Sequence, residues 1–181
     1  MKILEAFDKA LHFAMAKWWL RRCTSLGKRP RVYGKPRIIN SGQIHVGDRF
    51  LMFNQTVRSE LVSHVEGEIE IGKDVFCNYG VSISAHARVS IGDGCQLGSY
   101  ACLMDNDYHQ VVDRSQPGAS APIILQNNVW LAVRVIVLKG VTIGENSVVG
   151  AGSVVTKEIP PNSLAAGVPA KVIRQFEPRE N

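Results

Sequence analysis

A six-residue spacing of apolar side chains constrains this chain more than any other feature. An apolar residue returns at every sixth position over most of the sequence, often with glycine beside it. An α-helix repeats every 3.6 residues and a β-strand every two, so neither continued alone gives this spacing. A short strand followed by a tight turn does give it. The apolar positions that repeat are Ile71, Cys77, Ile83, Ile91, Leu97, Leu103, Leu131, Val137, Ile143, Val149 and Val155.

Three such strand-and-turn units make one turn of a coil with three flat walls, so the spacing predicts a parallel β-helix with these side chains stacked inside. An antiparallel meander would need irregular hairpin spacings that the sequence lacks. A looser set of the same kind precedes residue 57: Leu26, Val32, Ile38, Ile44 and Met52. Unusual backbone angles are expected at turn residues beside the glycines: Asp48, Asp74, Asp93, Asn127 and Asn146.

Two breaks interrupt the repeat. Residues 57–70 lose the phase and are predicted to form a longer loop. At the second break the register begun at Ile91 would place Asp107 inside the coil, where an unpaired carboxylate is costly. We therefore expect an excursion loop over 109–122, with the repeat resuming near Val129. Long loops on a solenoid often carry function.

The two ends are predicted to differ from the coil. The expected division is a helical leader over 1–25, a β-helix over 26–160 and a tail over 161–181, with Pro160 and Pro161 ending the repeat. The leader is amphipathic, since its apolar residues have helical spacing. It either caps the open end of the coil or, through residues 1–22, lies on anionic lipid. Its apolar stripe is Leu4, Phe7, Leu11, Ala14 and Trp18.

Charge is concentrated at the N-terminus. The 181 residues carry a net charge of +5, and ten Lys/Arg against two acidic residues fall within residues 1–37. This excess predicts an anionic surface or ligand near the leader. Nucleic acid is not expected, because the segment lacks interleaved aromatic residues and a DNA-binding motif.

Location and redox state follow from what the sequence contains. The longest apolar runs fall short of a transmembrane span, and the leader does not resemble a secretory signal. The four cysteines form neither a C-x-x-C pair nor a disulfide-like framework. Cys77, Cys95 and Cys102 fall in or beside the repeat and are expected to be small core or surface fillers. The expected location is the cytoplasm, with peripheral membrane contact if the leader binds lipid.

The second break also supplies a candidate catalytic residue. A histidine exchanges protons near neutral pH, so His109 is a candidate general base. A carboxylate on its other ring nitrogen would fix the tautomer. Asp105 and Asp107 are both candidates, and the sequence leaves open which of them serves. A loop histidine can equally be merely solvated.

Four segments together resemble the hexapeptide-repeat acyltransferases: 105–109, 122–133, 140–157 and 167–171. The likeness is to the galactoside, maltose and Nod-factor O-acetyltransferases and their relatives in polysaccharide biosynthesis, and it covers roughly residues 40–175. It implies a left-handed parallel β-helix, a homotrimer with active sites between subunits, and acetyl-CoA as co-substrate without a metal. It also implies a sugar hydroxyl or amino group as acceptor, free or lipid-linked.

The same resemblance assigns residues. It makes His109 the catalytic histidine and places Asn78 and Tyr108 at the acceptor. It places the backbone of Ala132 and Val133 at the thioester, and cations near the coenzyme phosphates, as suits a polyanionic ligand. The residues implied in coenzyme binding are Trp130, Ala132, Val133, Ala151, Thr156, Lys157, Lys171 and Arg174.

The sequence departs from the family pattern at two places. Leu125–Gln126 and Leu131–Ala132 stand where Ile-Gly is usual, and the methyl group of Ala132 predicts a shifted or tighter channel. These departures keep open a non-catalytic β-helix that serves as a scaffold. A γ-type carbonic anhydrase would need three zinc-binding histidines, and after His86 and His109 no further histidine follows.

Overall fold

The computed structural model describes residues 13–177, which form a short helix over 13–19 and twenty β-strands in three sheets. We name the sheets A, B and C, and the strands pass from A to B to C in rotation. Sheet A contains β1 Ser25–Leu26, β4 Gln43–Val46, β7 Glu68–Ile71, β10 Arg88–Ile91, β13 Ile123–Leu125 and β16 Thr142–Ile143.

Sheets B and C complete the coil. Sheet B contains β2 Arg31–Tyr33, β5 Leu51–Phe53, β8 Phe76–Cys77, β11 Gln96–Leu97, β14 Trp130–Leu131, β17 Val148–Val149, β19 Ser163–Gly167 and β20 Ala170–Gln175. Sheet C contains β3 Arg37–Asn40, β6 Glu60–Ser63, β9 Ser82–Ala85, β12 Cys102–Met104, β15 Ile136–Leu138 and β18 Val154–Val155. Every pairing is parallel except β19 with β20.

The interior confirms the predicted parallel β-helix of hexapeptide repeats. All eleven of the apolar positions named for the repeat are buried, with none more than 4% exposed. They stack because parallel pairing aligns successive coils: Cys77 pairs with Leu97, Leu97 with Leu131, and Leu131 with Val149. The core is therefore a column of apolar layers, one layer for each coil.

The turns from sheet A to sheet B only partly follow the prediction. Asp74 and Asn146 have positive φ angles of 58° and 60°, as expected of turn residues. Asp48, Asp93 and Asn127 do not have positive φ angles. Their side-chain oxygens instead accept backbone N–H groups of other coils, from Lys28 at 2.7 Å, Lys73 at 2.9 Å and Asp93 at 2.9 Å respectively.

Three predicted boundaries are wrong. Residues 57–70 contain strands β6 and β7 rather than one long loop, because Leu61 and Ile69 fill the core at a shifted phase. The repeat resumes at β13, where Ile123 and Leu125 are buried, and not near Val129. The prolines do not end it, since β19 pairs in parallel with β17 and buries Ala165.

The described part of the leader packs on the first coil. Ala16 and Leu20, one helical turn apart, are buried in the same core as the repeat. The predicted apolar stripe is wrong for its described members, since Ala14 and Trp18 are exposed, and its other members lie outside residues 13–177. Over 13–177 the structure has no helix with the length and apolar character to span a membrane.

Candidate functional site

The corner where sheet C gives way to sheet A carries the excursion loop, and we call it the loop corner. His64, His86 and Asp105 directly follow β6, β9 and β12 there, one for each coil. The chain leaves the coil at Asp105 and returns at Ile123, so the observed loop includes the predicted 109–122. Side chains from three coils therefore meet where the loop departs.

Asp105 anchors the start of the loop. It is fully buried, and its two carboxylate oxygens accept the backbone N–H groups of His86 and Ala87, each at 2.7 Å. Charged hydrogen bonds of this kind satisfy a buried carboxylate. The expectation that Asp105 could orient His109 meets a competing role here, because both oxygens are already engaged by the neighbouring coil.

The loop folds back on itself as a narrow hairpin. Isolated bridges join Asn106 to Ser120 and His109 to Pro117. Gly118 closes it, donating its N–H to the Tyr108 carbonyl at 3.1 Å. A Cβ at Gly118 would lie 2.8 Å from the backbone nitrogens of Tyr108 and His109, so only glycine fits without displacement. The hairpin thus fixes the backbone that carries His109.

His109 itself is exposed on this hairpin. Its backbone N–H donates to the Asp107 carbonyl at 2.7 Å. The carboxylate of Asp107, also exposed, lies 3.3 Å from the Nζ atom of Lys139 on the next coil. Of the two predicted aspartates, Asp107 is therefore the one on the solvent side with His109.

A stack of aromatic rings lies beneath the hairpin. The imidazoles of His64 and His86 are parallel, with centroids 3.6 Å apart, and the ring of Tyr108 meets His86 edge-on at 5.2 Å. The Tyr108 hydroxyl lies 3.0 Å from the Oγ atom of Ser84. Tyr108, predicted at the acceptor, is thereby held on one side by the coil and 41% exposed on the other.

The electrostatics around His86 favour its neutral imidazole. Burial, and then the neighbouring His64, lower the pKa of His86, while the Asp105 carboxylate acts in the opposite direction. The Nε2 atom of His86 is buried without a hydrogen-bond partner among the described residues. Sequence reasoning assigned His64 and His86 no chemistry. The sequence feature that could have identified them is their position in the repeat, because both directly follow a strand of sheet C, as Asp105 does.

The opposite edge of sheet C, where sheet B ends, is the regular corner. Asn78, Gly98, Ala132 and Gly150 occupy equivalent positions there on successive coils. The Ala132 N–H donates to the Val149 carbonyl at 2.9 Å, so it is committed to the coil. The sequence resemblance placed the backbone N–H groups of both Ala132 and Val133 at the thioester. Of these two N–H groups, that of Val133 lacks a partner among the described residues, and Val133 is 44% exposed.

Asn78 opens the column of the regular corner. Its side-chain oxygen accepts the Tyr79 N–H at 2.9 Å, and its amide nitrogen has no hydrogen-bond partner among the described residues. Ala151 follows Gly150 on this corner and is exposed, and the Gly152 N–H donates to the Val133 carbonyl at 2.9 Å. The predicted acceptor residue Asn78 therefore shares a corner with the predicted coenzyme residues, not with His109.

The outer face of sheet B holds most of the remaining predicted coenzyme residues. Trp130 is 50% exposed and lines a cavity of about 420 Å³ with Phe176. A second cavity, of about 390 Å³, joins Phe176 to Arg174 on β20. Lys171 lies exposed on the same strand, whereas Thr156 and Lys157 directly follow β18 and belong to the loop corner.

The structure thus divides the predicted site into two groups. His109, Tyr108, Asp105, Asp107, Thr156 and Lys157 lie at the loop corner. Asn78, Trp130, Ala132, Val133, Ala151, Lys171 and Arg174 lie at the regular corner or on sheet B. The two corners project from different edges of sheet C, so one chain does not bring His109 and Val133 together.

Metal ligands and thiols contribute little to either group. Within residues 13–177 no three His, Cys, Asp or Glu side chains come together as a metal site. All four cysteines are free, and burial raises the pKa of the Cys95 thiol to about 11 and that of Cys23 to about 12. Such thiols remain protonated and unreactive near neutral pH.

Fold and repeat define the chain as a hexapeptide-repeat β-helix protein, and comparisons with known proteins agree. Residues 122–157 match the family described as bacterial transferase hexapeptide (six repeats). The galactoside O-acetyltransferase of Escherichia coli K12 is 41% identical over 114 residues, which cover 62% of this chain and 56% of that protein. The chain thus spans about half the length of the curated relatives it matches.

Solved structures extend the likeness over nearly the whole chain. A galactoside acetyltransferase in complex with coenzyme A is 27% identical with a TM-score of 0.62, covering 94% of this chain and 82% of that one. A maltose O-acetyltransferase from Clostridium difficile 630 is 27% identical with a TM-score of 0.58, covering 94% and 89%. The predicted resemblance to the hexapeptide-repeat acyltransferases is confirmed.

Proposed function

We propose that this protein is an acetyl-CoA-dependent acetyltransferase that moves the acyl group to a hydroxyl or amino group of a sugar. The observation that carries the proposal is the placement of His109. It stands exposed on a hairpin fixed by Asp105 and Gly118, in a chain with 41% identity over 114 residues to a galactoside O-acetyltransferase.

In the proposed reaction His109 is the general base. Its neutral imidazole takes the proton of the acceptor hydroxyl as the oxygen attacks the thioester carbonyl carbon. The tetrahedral intermediate then collapses, the C–S bond breaks, and the departing thiolate of coenzyme A takes up that proton. Asp107 is the aspartate we assign to orient the imidazole, because the oxygens of Asp105 are engaged by backbone N–H groups.

The oxyanion would be stabilised by the Val133 N–H of a neighbouring subunit. Its exposure and its lack of a partner among the described residues support this role. A neighbouring subunit is required because His109 and Val133 project from different edges of sheet C. We therefore propose a homotrimer in which the loop corner of one subunit faces the regular corner of the next, with Asn78 and Tyr108 contacting acceptor from both sides.

The outer face of sheet C supports such an assembly. Ile136 and Leu138 are 37% and 39% exposed on adjacent outward positions of β15. They pair in register with Cys102 and Met104 of β12. An apolar patch of this kind on a soluble protein marks an interaction surface.

Coenzyme A would lie along the regular corner and sheet B. The exposed ring of Trp130 and the small residue Ala151 offer a wall for pantetheine, with Thr156 on the far side. The remaining coenzyme residues are cations, which suit the phosphates of the coenzyme. Lys171 and Arg174 lie on β20 of sheet B, whereas Lys157, like Thr156, would come from the loop corner of the facing subunit. The methyl group of Ala132 narrows the channel without closing it.

The proposed setting is surface polysaccharide or lipopolysaccharide biosynthesis in the cytoplasm, with a free or lipid-linked sugar as acceptor. For the leader, burial of Ala16 and Leu20 supports the capping role. Peripheral contact with the inner face of the membrane through residues 1–22 remains the second proposal, and residues 1–12 lie outside the described range.

A non-catalytic scaffold is the alternative that one observation favours. Ala132 stands where the related enzymes usually have glycine, and its N–H is committed to Val149. A scaffold would bind but not consume acetyl-CoA. Measuring thiol release with a panel of sugars separates the two functions.

The direct test replaces His109 with alanine in the full chain. Release of free thiol from acetyl-CoA in the presence of a sugar acceptor should fall about 10²–10⁴-fold, the usual contribution of a general base. His45→Ala is the matched control, a histidine on another face that should leave the rate unchanged. Circular dichroism checks that both variants are folded. Wild-type turnover by the His109 variant would refute the assignment.

A further inference from the structure

A basic cleft lies between the end of the N-terminal helix and the first coils. It has a volume of about 690 Å³ and shares no residue with either group of the proposed active site. Trp18, Trp19 and the following turn form one wall, and β3 with the start of β6 forms the other. We propose that this cleft is a second ligand site that binds phosphate groups.

Charge is the first argument. Five cationic side chains line the cleft against one carboxylate, that of Glu60, which also accepts a hydrogen bond from Ser82 at 2.8 Å. Arg37 lies 3.4 Å from Glu60 and partly neutralises it. Within residues 13–177 the other cations have no acidic partner. The five cationic side chains are Arg21, Arg22, Lys35, Arg37 and Arg58.

Such an arrangement matches phosphate better than a single carboxylate. Guanidinium groups bind phosphate oxygens through paired N–H donors, and several cations within one concave surface reinforce each other's potential. The cations also come from separate segments of the chain: Arg22 from the turn after the helix and Arg58 from the turn before β6. Folding therefore brings these cationic side chains together, and they repel one another unless an anion binds between them.

The aromatic wall points to a phosphate attached to a larger group. Trp18 is 59% exposed at the cleft, and the Arg21 guanidinium lies over its ring, 4.0 Å from the centroid. An exposed indole ring suits a sugar or an acyl-glycerol segment beside the phosphate. Both soluble phosphorylated sugars and phospholipid headgroups carry such a group, and the shared chemistry is the phosphate.

Position connects the cleft to the proposed reaction without depending on it. β3 and β12 lie in the same sheet C, with β6 and β9 between them. Three strand spacings separate the cleft from the origin of the catalytic loop by roughly 14 Å. A phosphate-bearing acceptor held at the cleft would thus lie three coils from the point where the loop that carries His109 leaves sheet C.

The variants follow from the local contacts. Arg21 also donates to the Trp18 carbonyl at 2.9 Å and so helps to end the helix. Arg22 and Arg58 are exposed, and within residues 13–177 neither side chain has a partner, whereas the backbone carbonyl of Arg22 accepts from the Asn40 side chain at 2.9 Å. Replacing both arginines with glutamine removes charge and leaves that bond intact. Lys171→Gln/Arg174→Gln removes the same charge from the proposed coenzyme region.

The readout is tryptophan fluorescence in a full-length Trp130→Phe background, where only Trp18 and Trp19 remain of the three tryptophans. Pyrophosphate should change this fluorescence saturably, and Arg22→Gln/Arg58→Gln should weaken its binding at least about tenfold. Lys171→Gln/Arg174→Gln should keep the affinity within about threefold. Loss of affinity in both double variants alike would overturn the proposal.

Vesicles distinguish the two sources of phosphate. Co-sedimentation with phosphatidylglycerol vesicles, compared with phosphatidylcholine vesicles and run against pyrophosphate as competitor, tests the headgroup. If pyrophosphate or the anionic vesicles bind, and the binding requires Arg22 and Arg58, the proposal is supported. Which of the two probes binds then shows whether the phosphate comes from a soluble compound or from a lipid headgroup. Binding of neither probe by the unmodified cleft would refute it. Thiol release from acetyl-CoA is measured separately, so failure of the cleft and failure of the acetyltransferase proposal remain distinct.

Discussion

The regular corner places Asn78, Gly98 and Ala132 at equivalent positions on successive coils, whereas the loop corner gathers His64, His86 and Asp105 beneath a hairpin. At the regular corner the N–H groups of Gly98 and Ala132 donate to backbone carbonyls of the next coil. At the loop corner a buried carboxylate replaces part of that ladder. The same three-walled coil therefore builds one edge from backbone and the other from side chains.

This difference explains how a repetitive fold can hold a unique site. Because every coil repeats the same turn, backbone N–H groups such as that of Val133 recur at equivalent positions along the coil axis. Repetition alone cannot place a single catalytic side chain, because every coil would then carry the same one. The excursion after Asp105 breaks the repetition once, and the hairpin around Gly118 determines where His109 stands.

The largest expected effect tests the loop corner. Asp105→Ala leaves the part-buried N–H groups of His86 and Ala87 without an acceptor, and it should lower the free energy of unfolding by about 3 kcal/mol. Asp107→Ala is the matched control. It removes one exposed ion pair with Lys139 and should cost under about 1 kcal/mol. Urea denaturation of both variants measures the difference.

Equal losses of stability in these two variants would show that Asp105 does not anchor the loop. Activity adds a second comparison. If Asp107 orients His109, Asp107→Ala should slow thiol release while leaving the unfolding midpoint close to that of the wild type.

A pair of glycine substitutions compares the two corners directly. A Cβ at Gly98 would lie 2.7 Å from the Ala132 carbonyl carbon, and one at Gly118 would lie 2.8 Å from the His109 nitrogen. Gly98→Ala should cost about 2 kcal/mol, because the stacked coils cannot separate. Gly118→Ala should cost less than Gly98→Ala, because the exposed hairpin can shift, and it should slow acetyl transfer about tenfold by misplacing His109.

Thermal unfolding and thiol release, measured on both glycine variants, separate the loss of stability from the loss of activity. Full activity in Gly118→Ala, or an unchanged melting temperature in Gly98→Ala, would contradict the contrast between a rigid coil and a positioned hairpin.

The smallest expected effect concerns pH. The pKa of His86 is lowered from its ordinary value of 6.5, first by burial and then by His64, so folding favours the neutral imidazole. Unfolding therefore takes up a proton as the pH falls below that value. Stability should be complete above about pH 6.5 and decline below it, down to the lowered pKa of the folded state.

His86→Gln should reduce this decline, whereas His45→Gln should leave it unchanged. Urea denaturation between pH 7.5 and pH 5 makes the comparison. A decline as steep in His86→Gln as in the wild type would assign the pH dependence to another group.

The amino-acid sequence determined the coil by itself. A six-residue period admits one arrangement in which apolar side chains such as Leu97 and Leu131 all reach a common interior, so the fold, its core and the excursion loop could be predicted from it. The misplaced strands β6 and β7 show the limit, since a phase shift looks like a loop until the sheet register is known.

Only the tertiary structure decided which neighbours the polar residues acquire. Asp105 binds backbone N–H groups 19 and 18 positions earlier, the rings of His64 and His86 stack across 22 positions, and arginines from separate turns line one cleft. These contacts join coils rather than consecutive residues. Their partners depend on coil lengths and on the point where the chain leaves the coil, which a local spacing of six does not encode.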